Sequence, residues 1–175
     1  SNDFFFFFYK SEMTDIKLKT ATASLAFQVL FGLLTVSSLF VDLGKENEAV
    51  TQIVILESVS QLIEFIYYCL VVFYYKKIVT WTRYIDWVFS TPVMLMSTMA
   101  FFEYRKSASF RLIEMFQDPL IYLILVSNWI MLAFGYFVET QRIPMELGLI
   151  FGMLAFITSF YILAYVAIEA HDVTS

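Results

Sequence analysis

Residues 83 to 92 read Arg83-Tyr84-Ile85-Asp86-Trp87-Val88-Phe89-Ser90-Thr91-Pro92, a basic and an acidic side chain set into an apolar and aromatic run. The run lies inside a hydrophobic segment, Ile78 to Phe102, which exceeds the roughly 20 helical residues needed to cross a bilayer core about 30 Å thick. Inside lipid every backbone N–H and C=O needs an internal partner, so the segment is expected to be a helix. At roughly 100° per residue, Arg83, Asp86, Ser90 and Ser97 share an arc of about 60°. One face of this helix is therefore polar. An ionisable side chain inside a membrane is costly and by default faces a cavity or a partner.

Four further segments of spanning length flank this one. Thr20 to Val41 lies uncharged between Lys19 and Asp42, Pro119 to Val138 between Asp118 and Glu139, and Leu147 to Ile168 between Glu146 and Glu169. The remaining segment, Val50 to Tyr75, contains Glu57 and Glu64 and is long enough to cross despite them. The 175 residues are 60% hydrophobic, 19% aromatic and only 15% charged, a balance that soluble domains rarely show. The reading is an all-α integral membrane helix bundle, one membrane domain over residues 1–175, with helices near 20–41, 50–75, 78–102, 119–138 and 147–168. Its first partner is the lipid bilayer. Loop lysines and arginines divide too evenly between the two sides to orient the chain. The run Phe4 to Phe8 is too short to span and is expected to rest at the membrane interface or on the bundle.

Glu57, Gln61, Glu64 and Tyr68 in the second segment also fall within an arc of about 60°. Such stripes serve either as structural hydrogen bonds between packed helices or as the lining of a hydrated path. For Ser90 and Ser97 both readings stand. Three carboxylates and an arginine point to a hydrated or proton-relaying interior, because apolar packing would hold the helices without their desolvation cost. Other chemistries find little to work with. The net charge of -5 comes without a basic block, so nucleic acid is not expected as a partner. Cys69 and His171 each stand alone, which leaves no cysteine cluster, catalytic zinc set or Cys/His pair, and the chain does not read as an enzyme.

The stretch Arg83 to Pro92 strongly resembles the third helix of microbial (type 1) rhodopsins: an Arg, an aromatic, an Asp-Trp pair and a hydroxyl-Thr-Pro run at fixed spacing. Met131-Leu132-Ala133-Phe134-Gly135-Tyr136 resembles the fourth helix of proteorhodopsins. The resemblance covers most of residues 20 to 168. It implies a seven-helix fold, of which five helices lie here, and all-trans retinal as cofactor. It also implies that Asp86 is the counterion and proton acceptor of the retinal Schiff base, with Arg83 beside it. Tyr84, Trp87, Thr91, Met94, Asn128 and Met131 fall on positions that line retinal. The chemistry is suitable, since a flat polyene wants aromatic and sulfur walls and a buried cationic imine wants an anion. The seven lysines, Lys10, Lys17, Lys19, Lys45, Lys76, Lys77 and Lys106, all lie outside or at the edges of the spans. The retinal-binding lysine is accordingly expected in a seventh span outside residues 1–175.

The triplet Asp86, Ser90 and Ser97 is similar to the Asp-Thr-Ser pattern of rhodopsins from large algal viruses, with Ser in place of Thr at the middle position. Serine at position 97 cannot deliver a proton as a carboxylic donor does. The two glutamates seven residues apart also look like those viral proteins, which implies cation conduction along Glu57, Gln61, Glu64, Ser90 and Ser97. Ion transport in response to light is the expected function, and a light-gated cation channel the favoured form. An outward light-driven proton pump is the alternative; a sensory rhodopsin or a chromophore-free membrane scaffold follows at a distance. The transported partner is a cation or a proton, and association with further copies of the chain stays open.

Overall fold

Residues 2–41, 48–74, 83–107 and 109–174 are described by a computed structural model, with the backbone alone for 2–18 and 174. The chain folds as α1 (Asn2–Ser38), α2 (Glu48–Phe73), α3 (Arg83–Lys106), a 3-10 turn (Leu112–Gln117), α4 (Pro119–Glu139) and α5 (Met145–Thr174). No strand occurs among the described residues. Among the described residues five stretches are long and apolar enough to cross a membrane: Lys19–Ser38, Glu48–Phe73, Arg83–Lys106, Pro119–Glu139 and Met145–Val173. The protein is thus an all-helical, multi-pass integral membrane protein. The backbone of Phe4 to Phe8 continues α1 rather than forming a separate piece. Their side chains lie outside the described residues, as do Lys45, Lys76, Lys77 and the expected start of the third span at Ile78.

Local chemistry explains where α4 begins and ends. Asp118 caps the helix by accepting from the Leu120 N–H at 2.8 Å, and Pro119 occupies the first turn, where its missing N–H has no partner to lose. At the other end Gln141 adopts φ 57°. Its N–H reaches the Val138 carbonyl at 3.0 Å and the Arg142 N–H the Phe137 carbonyl at 2.8 Å, the paired bonds that close a helix through a left-handed residue.

α3 is the hub. It packs against α2, α4 and α5, while α1 rests on α2 alone and α5 lies along α4. The buried apolar core gathers at one end, where the second half of α3 (Met99, Ala100), the start of α4 (Ile121, Ile124), the last turns of α5 (Ile162, Val166), the 3-10 turn (Met115) and Phe110 meet. The Gln52 side chain of α2 ties that turn down by accepting from the Leu112 N–H at 3.1 Å. The first half of α3, which carries Asp86, lies away from this core. Apolar side chains cover the outside, as a lipid solvent allows; Leu33, Leu154 and Ile168 are among the exposed ones.

Candidate functional site

Pro92 sits inside α3 and is buried. It has no N–H, so the carbonyl of Val88 one turn earlier lacks its intrahelical partner. The Trp129 indole Nε1–H of α4 donates to that carbonyl at 3.1 Å. One residue along, the Asn128 Nδ2 donates to Thr91 Oγ1 at 2.8 Å, and the Thr91 hydroxyl donates in turn to the Trp87 carbonyl at 2.7 Å. The irregular carbonyl is thus satisfied from the facing helix, and the same contacts set α4 against the Trp87–Thr91 side of α3. Trp129 was not singled out in the sequence, since a tryptophan in an apolar run gives no sign of the carbonyl it will meet.

Asp86 is 5% exposed and points into the bundle. Its carboxylate lies within hydrogen-bonding reach of Ser90 and within electrostatic range of Glu64 on α2. Its Oδ1 is buried without a hydrogen-bond partner among the described residues. Buried polar atoms are almost always paired, so an orphaned carboxylate oxygen marks a place prepared for a positive or hydrogen-donating group.

The polar stripe of α2 is shared between two neighbours. Glu57 accepts from the Ser97 hydroxyl of α3, which has the Met94 carbonyl 3.0 Å away as its other acceptor. Glu64, two turns on, accepts from Gln28 of α1. Between them Ser60 is buried, with its hydroxyl 3.4 Å from the Ser90 carbonyl, and the Oε1 of Gln61 is buried and unpartnered among the described residues. The stripe therefore runs along the α1–α2–α3 interior. Gln28 and Ser60 belong to it and were not anticipated; each is one of several neutral polar residues in its segment, and only packing reveals which of them faces the stripe.

Of the residues expected to line retinal, Tyr84 and Met131 border a cavity of about 470 Å³ between α3, α4 and α5, with Gly135, Gly152 and Phe156. Trp87 extends this wall, its ring edge-on to Tyr84 with centroids 5.4 Å apart, and Tyr136 stands edge-on to the other side of Tyr84 at 5.9 Å. Thr91 and Asn128 are held together by their hydrogen bond beside it, and Met94 is half exposed. Gly135 leaves room for the tyrosine: a Cβ there would stand 2.9 Å from the Tyr84 Oη, and the phenol end would have to shift. The apolar and aromatic wall and the space beside it suit a long polyene, and the Asp86 oxygen without a partner among the described residues suits a cationic group.

Arg83 departs from the expectation that it stands beside Asp86. Its side chain, at the first position of α3, lies outward, with Nη2 3.7 Å from Glu139 Oε1 of α4 and its guanidinium carbon 5.4 Å from the Trp87 ring centroid. The Tyr84 hydroxyl is hydrogen-bonded to the same Glu139. With the arginine 48% exposed, the ion pair is worth roughly 0–1 kcal/mol.

The bacteriorhodopsin-like protein family matches residues 19–175. The chain belongs to this family. It is a microbial rhodopsin, and membership carries with it a retinal chromophore and light-driven ion transport. The crystal structure of the viral rhodopsin OLPVRII superposes on the fold with a TM-score of 0.72 at 24% sequence identity, covering 85% of this chain and 70% of that one. No curated protein matches the chain.

Proposed function

We propose that this rhodopsin conducts cations across the membrane when its chromophore is excited, along the α1–α2–α3 interior. The observation that carries the reading is the placement of Glu57 and Glu64, two turns apart on α2, each engaged by a polar side chain from a different helix, Ser97 and Gln28. Carboxylates at two depths, about 10 Å apart along the helix, offer oxygens in exchange for a cation's water. Their partners, Ser97 and Gln28, are neutral, so each carboxylate is engaged by an uncharged side chain. Ser97 stands where a proton pump of the bacterial kind would keep a carboxylic donor, and a hydroxyl does not serve there.

All-trans retinal, when bound, would supply light absorption and a buried positive charge. Trp87, Tyr84, Met131 and Met94 would offer it apolar contact, the Thr91–Asn128 pair ties α4 to α3, and Asp86 would hold the balancing negative charge. Ser90 orients that carboxylate. An outward proton pump is the second reading, favoured by the burial of Asp86 and its unpaired oxygen, which suit a proton acceptor.

Photocurrents recorded from the full-length, retinal-loaded protein under voltage clamp separate the two. A channel's current reverses sign at the potential set by the cation gradient. A current that keeps one direction at every voltage overturns the channel reading and establishes the pump.

A further inference from the structure

We propose that Glu139 is a positioning residue that, with the face of Trp87, biases Arg83 away from Asp86 and thereby keeps the arginine's positive charge from offsetting the counterion. The proposal rests on Asp86 being the counterion. Arg83 and Asp86 are three residues apart on α3, one turn, so an arginine side chain can reach from one to the other. It does not do so here. Its guanidinium is drawn to the end of α4, where it forms an ion pair with Glu139 at 3.7 Å and the face of Trp87 lies beneath it at 5.4 Å. Asp86 Oδ1 is meanwhile buried and without a partner among the described residues.

Glu139 is itself fixed. The Tyr84 hydroxyl bonds its carboxylate, and Tyr84 can stand so close to α4 because position 135 is glycine, where any Cβ would come within 2.9 Å of the phenol oxygen. Tyr84 of α3 together with Gly135 and Glu139 in the last two turns of α4 thus forms one feature beside the arginine. Without the Glu139 charge, the strongest acceptor within a turn of Arg83 is the orphaned oxygen of Asp86, and arginine prefers a carboxylate it can bind through two N–H groups. An arginine paired with Asp86 weakens the negative charge beside the chromophore's positive end, which moves absorption to the red.

The test is the absorption spectrum of the full-length, retinal-loaded protein in a mutant cycle. Glu139→Gln should redden the pigment. The shift should vanish when Arg83→Gln is added, and also in an Asp86→Asn background, where no counterion charge remains to be neutralised. Glu139→Asp, which keeps the charge, should keep the wild-type maximum. Should the amide variant bind no retinal, Glu139→Ala replaces it in every comparison. An unchanged maximum in the Glu139 variants, with Asp86→Asn still shifting the spectrum, overturns the proposal while leaving the counterion in place. A shift that persists without Arg83 overturns it as well, because Glu139 would then act on colour by another route. Loss of any spectral effect from Asp86→Asn alone instead removes the counterion assignment, and the proposal with it.

Discussion

Asp86 is a carboxylate buried to 5% exposure with one oxygen unpaired among the described residues, a costly arrangement that persists only where something repays it. If that something is the positive end of the chromophore, removing the charge alone changes the colour. Asp86→Asn, nearly isosteric, should redden the pigment, and an unchanged absorption maximum across the pH range would sink the assignment. Gln141 makes a different kind of statement. At φ 57° it occupies a conformation that costs a side-chain-bearing residue roughly 1 kcal/mol and costs glycine little. Gln141→Gly should therefore raise the thermal stability of the detergent-solubilised protein by about 1 kcal/mol without altering colour or current. A drop in melting temperature would show that the exposed side chain does something the backbone geometry does not reveal.

At the scale of elements, the question is how helices with few polar groups find one register. α3 and α4 use the carbonyl released by Pro92, taken up by Trp129, together with the Thr91–Asn128 bond. α4 and α5 use the Ser127–Ser159 hydroxyl pair at 2.8 Å and a small-residue contact at Gly148, where an added Cβ would fall 2.0 Å from Val138 Cγ2 and 3.2 Å from Ile143 Cδ1. The valine is branched and stiff, so it cannot swing aside cheaply. Gly148→Ala should push α5 off α4 at a cost of about 1–3 kcal/mol, read as a lower melting temperature. α2 tests the ion path. Glu57→Gln and Glu64→Gln should each reduce cation conductance or shift the reversal potential while leaving the colour nearly intact, because neither is placed against the retinal wall. If photocurrent size, selectivity and reversal potential are all unchanged in both, the two glutamates are structural and the pump becomes the better account.

Across the whole molecule the packing is uneven: a tight apolar core at the end of Met99, Ile124 and Val166, and at the end of Tyr84 an open cavity of about 470 Å³. Where lipid replaces water, burying an apolar side chain gains little and close packing supplies the stability. Ile124→Ala, inside the core, should therefore cost about 2 kcal/mol or more, and Leu154→Ala on the 57% exposed outer face should cost little, by thermal unfolding in the same detergent. Equal losses at the two sites would mean that the core is not where the bundle is held. Much of this was legible in the chain itself. Spanning helices follow from apolar length, because lipid leaves the backbone no other way to satisfy its hydrogen bonds, and the shared faces of Asp86, Ser90 and Ser97 and of Glu57, Gln61 and Glu64 follow from helical periodicity alone. Periodicity says which residues share a face, but not which helix that face meets. Only the tertiary structure set Ser97 against Glu57, Gln28 against Glu64, Trp129 on the Val88 carbonyl, and Arg83 on Glu139 rather than beside Asp86. Those pairings join residues 36 to 56 positions apart, and they are decided by how the helices tilt and pack, which no local spacing encodes.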